Sequence, residues 1–173
     1  MPEIVPNWHP IFVHFTIALY VVATALYALG QIAGGRSWAG VVVVAARINL
    51  WTGAALSILT VIAGIDAFFT VAHDASQTIF MIDHRRWAIA TAVVWWFIAV
   101  FEAARAIQGK KANLVVAFAL VVAIGPLAVT GWKGGELVYR NRIGIVATRM
   151  SPVDGIGERG AHPLSAPDRG GRS

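Results

Sequence analysis

The sequence contains no cysteine and little charge: 13% of its 173 residues are Asp, Glu, Lys or Arg, where a soluble domain carries about 25%. Without cysteine there is no disulfide-stapled module, no thiolate metal or iron–sulfur site, and no c-type haem, which needs Cys-x-x-Cys-His. The missing charge excludes an ordinary soluble enzyme, because half the usual polar coat is absent. A net charge of +5 does not point to nucleic acid. Lys and Arg cluster at the ends of apolar runs, a membrane pattern, and not along a stripe with interleaved aromatics. The first ten residues lack Lys and Arg, so the opening apolar run has no basic leader and is not expected to be a cleaved signal. No Ser-His-Asp set, phosphate loop or carboxylate pair is present.

What is there is apolar length. Hydrophobic residues make up 57% of the chain, and a bilayer core of about 30 Å takes about 20 apolar residues of helix. Four runs reach that length: Ile11 to Ala33, Val41 to Ala72, about Ile79 to Ile107, and Leu114 to Trp132. None alternates with period two, which argues against a membrane barrel. The expected fold is all-α, an integral membrane four-helix bundle over residues 11–149 in contact with the lipid bilayer. An N-terminal leader, 1–10, precedes it. A Gly/Pro-rich extended tail, 150–173, follows; its composition cannot bury a core, so its expected role is to clamp a partner in a larger membrane complex.

The punctuation fits these runs. Pro10 suits the first turn of the first helix, with Asn7 as its cap; Gly30, Gly34 and Gly35 close it. Ser76 is a candidate cap for the third helix, and Gly109-Lys110-Lys111 separates it from the fourth. Pro126 should kink the fourth helix and free a carbonyl about one turn earlier, and Gly134-Gly135 should end it. Basic residues nearly tie between the two sides. The leader, which has no basic residue, tips the balance toward both termini outside, with the 1–2 and 3–4 connections cytoplasmic.

His9, His14, His73 and His84 then fall on the outer side, with Asp66 at a similar depth on the second helix; His162 lies in the tail. Intramembrane ionisable groups face the bundle interior by default. His14 and His84 sit inside the first and third helices, which can be diagonal neighbours, so two imidazoles at one depth are arranged as axial ligands of a haem b. Arg85 and Arg86 follow at the interface, where their forks suit the propionates, and Trp87 adds a flat apolar wall. His9 and His73 are alternate ligands, and Asp66 is a proton-handling group. Two other readings stand beside this one. The histidines can be helix glue, bonded to Asp66, a threonine or a freed carbonyl. Or His9, His14, Asp66 and His84 can hold a mononuclear metal. No histidine lies on the inner half of any helix, so the bundle has room for one haem and not for a wire across the membrane. Glu102 with Arg105 reads as a structural pair at the inner end.

Two motifs carry a family resemblance. His9-Pro10-Ile11-Phe12-Val13-His14-Phe15-Thr16-Ile17-Ala18-Leu19 follows the pattern His-Pro-x-x-Val-His-Phe-Pro-Ile-Ala-Leu, with Thr16 in place of proline. Gly131-Trp132-Lys133-Gly134-Gly135-Glu136-Leu137-Val138-Tyr139 follows Gly-Trp-x-Gly-Gly-x-Leu-Val-Tyr. Ala63-Gly64-Ile65-Asp66 and His84 match less specifically. Over roughly residues 8 to 146 the chain resembles the bacterial four-helix membrane proteins known as domain of unknown function 2231. The resemblance implies a fold more than an activity. Fusion of relatives to Rieske iron–sulfur domains implies a redox setting with the C-terminus outside. The family's histidine after the second motif is replaced here by the Asn141-Arg142 stretch, so any role it has is lost or passes to His9 or His73.

The resulting expectation is a single-haem b-type subunit of the bacterial inner membrane, both termini periplasmic. It relays electrons between a quinone or an outer-face partner and a larger redox complex, and has no catalysis of its own. The alternatives are a cofactor-free assembly subunit and a metal-ion-binding membrane protein or carrier, the last disfavoured by the lack of an inverted repeat.

Overall fold

The structure is a computed structural model, described here for residues 8–144. It contains four helices: α1 (His9–Ile32), α2 (Ala39–Thr70), α3 (Ala75–Ile107) and α4 (Leu114–Tyr139). All four are long and apolar enough to cross a membrane. The expected leader up to residue 7, with the Asn7 cap, and the tail with His162 lie outside the described residues.

The bundle is apolar on its outside and more polar within. Val41, Phe97, Val100, Leu114 and Phe118 are exposed, as lipid-facing residues should be, while Tyr20, Tyr27, Thr16, Thr91, Ser57 and Glu102 are buried. In lipid the association of helices rests on close packing and interhelical hydrogen bonds. Here Thr16 bonds Thr60 (2.8 Å), Thr91 bonds Thr130 (2.8 Å), and the Trp96 indole donates to Ser57 Oγ (2.7 Å).

Two helix ends differ from the sequence reading. Asp74, and not Ser76, caps α3: its carboxylate accepts the Gln77 amide (2.8 Å) while the Gln77 side chain accepts the Asp74 amide (2.8 Å). This reciprocal capping box satisfies two orphan donors, and Ser76 donates to the same carboxylate. Helix α4 runs through Gly134-Gly135 to Tyr139. Those glycines do not stop it, because a helix ends only where the chain leaves helical dihedrals, and the Arg140 amide still donates to the Glu136 carbonyl (3.0 Å). Pro126 lies inside α4, and its carbonyl accepts from Thr91 (3.2 Å).

Helices pack around a ring in chain order, so α1 faces α3 and α2 faces α4 across the bundle axis. The two hairpins, α1–α2 and α3–α4, repeat one another. Buried Thr16, Tyr20, Ala23, Thr24 and Tyr27 of α1 recur on α3 as Thr91, Trp95, Ile98, Ala99 and Glu102. Tyr27 and Glu102 are separated by 75 residues, and every other pair of that set keeps the same separation. Buried Ala46, Leu50, Gly53 and Ser57 of α2 recur on α4, at a second constant offset, as Val116, Leu120, Ala123 and Leu127. Helices α1 and α3 run the same way, so this is a direct repeat about an approximate twofold along the bundle axis. In the half of the bundle that carries the α2–α3 connection, the identical residues at equivalent positions are His9/His84, Thr16/Thr91, Thr60/Thr130 and Gly64/Gly134.

Candidate functional site, a two-histidine centre on the bundle axis

The repeat brings one histidine from each hairpin toward the axis. His9 opens α1, and His84 lies in α3; their ring centroids are 6.4 Å apart, with planes at 77°. Each ring is seated on a glycine of its own hairpin. A Cβ at Gly64 would stand 2.9 Å from His9 Cε1, and one at Gly134 would stand 3.2 Å from His84 Cε1. Any side chain at Gly64 therefore displaces the His9 ring, and at Gly134 the His84 ring has to give way by a few tenths of an ångström.

The orientation of His9 is fixed by the Thr60 carbonyl, which its Nδ1 reaches at 3.0 Å. A carbonyl can only accept, so Nδ1 carries the proton. The Thr130 carbonyl, counterpart of Thr60, faces the His84 ring. The contact falls short of good hydrogen-bond geometry, and among the described residues His84 Nδ1 is buried without a partner. Two indole nitrogens, Trp51 Nε1 and Trp95 Nε1, are likewise buried without a partner among the described residues, and each such group is costly to leave unpaired.

The remaining sequence candidates lie elsewhere. His14 is exposed, and its Nδ1 bonds the Pro10 carbonyl one turn back. The partner that the structure gives His84 is thus His9, since the two positions are equivalent in the repeat and position 14 falls on the outward face. His73 sits in the α2–α3 connection, bonded to the Val71 carbonyl (2.7 Å) and 5.9 Å from the Phe68 ring. Asp66 is exposed at the outer end of α2. Arg85 is exposed and lies over Phe68 at 4.6 Å, a cation–π contact; Arg86 and Trp87 are exposed beside it. Among the described residues no three His, Asp or Glu side chains are gathered closely enough to hold an ion together, so the four-ligand set of His9, His14, Asp66 and His84 is not assembled. Beside the rings, Lys133 of α4 pairs with Asp83 of α3; the sequence reading missed this pair, whose only signal was two opposite charges at apolar-run ends.

A second polar cluster closes the end of the bundle opposite the histidines. Glu102 is fully buried and accepts from the Tyr27 hydroxyl (3.0 Å), from Arg47 (2.8 Å) and from Arg105 (3.3 Å). The two arginines also donate to the Lys110 and Lys111 carbonyls, both at 2.8 Å, tying down the 3–4 connection. Sequence spacing identified Arg105 and had no means of finding Arg47 or Tyr27, which come from other helices.

Comparison with known proteins agrees with this architecture. Neither the curated proteins nor the solved structures contain a match to the chain. The family described as "Predicted membrane protein (DUF2231)" matches residues 6–147, so the chain belongs to that family and is an integral membrane protein.

Proposed function

We propose that this protein is a single-haem b-type membrane subunit that passes electrons at the outer membrane face within a larger redox complex, with His9 and His84 as the axial ligands. The observation that carries this reading is the 6.4 Å between the two ring centroids on the bundle axis. His9 and His84 would hold the haem iron through one nitrogen of each ring. The donor set points the same way. Two imidazoles leave most ions under-coordinated, whereas a tetrapyrrole brings four nitrogens of its own and needs two axial ligands. Bound there, haem supplies one-electron redox chemistry.

The chain's own residues then have definite tasks. Thr60 holds the His9 proton on Nδ1, which leaves Nε2 as the ligating nitrogen and raises its basicity. Gly64 and Gly134 let both rings approach the axis. Arg85 and Arg86, exposed on α3 directly after His84, are the propionate partners. The setting is the bacterial inner membrane with both termini periplasmic, a quinone or outer-face partner supplying or taking the electrons.

Reduced-minus-oxidised spectra of the purified protein test this: a b-type band is expected at about 560 nm. His9→Ala and His84→Ala should each abolish it, and His14→Ala should keep it. A protein that takes up no haem when haem is supplied, or a band lost in His14→Ala and kept in His9→Ala, overturns the assignment. A cofactor-free structural subunit is the second reading, favoured by the way the ring pair continues the diagonal contacts Tyr20–Trp95 and Tyr27–Glu102. It gives no chromophore, and His84→Ala then acts on stability alone. Stoichiometric metal without a haem spectrum supports a metal-ion site instead.

A further inference from the structure

The direct repeat has one place where the hairpins differ in charge. A groove of about 500 Å³ runs between the start of α1 and the outer end of α2, lined by Trp8, Phe12, Leu59, Ile62, Ala63 and Asp66. The Trp8 and Phe12 rings stack along one wall with centroids 6.5 Å apart. The equivalent positions of the second hairpin include Asp83, Trp87, Lys133 and Glu136. There the Lys133 ammonium fills the space and pairs with Asp83, while Glu136 pairs with Arg140 (2.9 Å). In the first hairpin Ala63 stands where Lys133 would be and Thr70 where Arg140 would be. Asp66, the counterpart of Glu136, therefore has neither cation.

The other described carboxylates are all matched: Asp74 by the α3 cap, Asp83 by Lys133, Glu102 by Arg47 and Arg105, Glu136 by Arg140. Asp66 has no side-chain hydrogen bond or ion pair among the described residues. A carboxylate at the membrane boundary, set in an apolar groove beside an exposed indole, is a site for a cation attached to something greasy. Aromatic faces attract ammonium groups, and an unpaired charge at this depth is costly. The groove opens on the outside of the bundle, where lipid lies.

We propose that the Trp8–Asp66 groove binds the primary-ammonium headgroup of an aminophospholipid, with Asp66 taking the ammonium and Phe12, Leu59 and Ile62 flanking an acyl chain. The lipid supplies from outside a cation of the kind that Lys133 and Arg140 supply from within to the carboxylates of the second hairpin. The assignment is independent of whether the histidine centre holds haem.

Native mass spectrometry of the full chain, released from membranes of equimolar phosphatidylethanolamine and phosphatidylcholine with matched acyl chains, tests it. The expected result is retention of phosphatidylethanolamine over phosphatidylcholine by about fivefold, the ratio a single interfacial ion pair supports. Asp66→Asn should bring the ratio to one. Ala63→Lys, which places an ammonium one helical turn from Asp66 on α2, should do the same and carries the test if Asp66→Asn fails to fold. Equal retention of both lipids by the wild type, or an unchanged preference in the variants, overturns the proposal. So does a carbodiimide cross-link from Asp66 to a lysine of another protein with no lipid preference, which assigns the groove to a protein partner.

Discussion

Tyr20 lies flat against Trp95, with ring centroids 4.0 Å apart and planes within 15°. The two residues belong to α1 and α3, which make no backbone-level contact, so this stack spans the axis of the bundle. It is the middle rung of three. His9 meets His84 at one end and Tyr27 meets Glu102 at the other. A constant sequence separation across three rungs is what two parallel helices of equal pitch produce, and it fixes the register of one hairpin on the other. The Tyr20 hydroxyl also reaches Ser57 (3.2 Å), linking the stack to α2.

The glycine seats give the first prediction. Gly64→Ala places a methyl 2.9 Å from His9, and Gly134→Ala one 3.2 Å from His84. Overpacking of this kind costs about 1–3 kcal/mol, with the larger loss expected at Gly64. Gly40→Ala is the control, since nothing lies within 4 Å of its added Cβ, and alanine is the better helix former. Thermal unfolding in detergent should rank Gly64→Ala below Gly134→Ala, with Gly40→Ala at or above the wild type. Equal values for Gly64→Ala and Gly40→Ala would refute the close seat.

The inner cluster gives the second. Glu102→Gln keeps the shape and removes the negative charge that holds Arg47 and Arg105. Breaking a buried pair by neutralising one partner costs about 3–5 kcal/mol. A double-mutant cycle with Arg47→Ala should return a coupling of at least about 1 kcal/mol, because the two side chains are in direct contact. Additive effects would show that the cluster is not a unit.

The α3 cap gives a prediction about pH. Hydrogen bonds from Ser76 and from the Gln77 amide hold the Asp74 carboxyl below its ordinary value. A depressed carboxyl pKa means that the native state prefers the ionised form. Its stabilisation is present above the ordinary carboxylate pKa and lost as pH falls through the lowered one. Asp74→Ala should therefore destabilise at neutral pH and converge with wild type at acid pH. A difference between the two proteins that does not change with pH would assign the effect to something other than the ionised cap.

A fourth prediction separates the two outer histidines of α1. His14→Ala should leave stability within about 0.5 kcal/mol of wild type, as an exposed substitution does, whereas His9→Ala vacates the Gly64 seat and drops the Thr60 bond. Comparing unfolding midpoints of the two variants checks it; a larger loss in His14→Ala would place the important imidazole on the other face.

Much of the outline was legible in residue order. Apolar run length gave four spans, and the run ends Ile107 and Leu114 coincide with the ends of α3 and α4. The diagonal relation of α1 and α3 followed from the up-and-down order of four helices. The cap at Asp74 was not chosen, because Ser76 lies two residues on and both residue types favour caps. The course of α4 past Gly134 was hidden by the general rule that paired glycines end helices. Gly134 is there for a ring contact made by another helix, and no local rule sees that.

The sequence by itself determined that this is a four-helix membrane protein with His9, His14, His73 and His84 gathered at one end, because hydrophobic length and the spacing of polar residues are properties of the chain taken in order. It also held the repeat, but in scattered form. Lipid-facing positions need only be apolar and core positions need only match in size, so few identities survive between the hairpins. Tertiary structure decided which histidines meet. His9 and His14 are about one turn and a third apart on one helix, a difference in angle that places one ring on the axis and leaves the other exposed. Only the rotation of α1 against α2 and α3, set by Thr60, Gly64 and the Tyr20–Trp95 stack, selects between them.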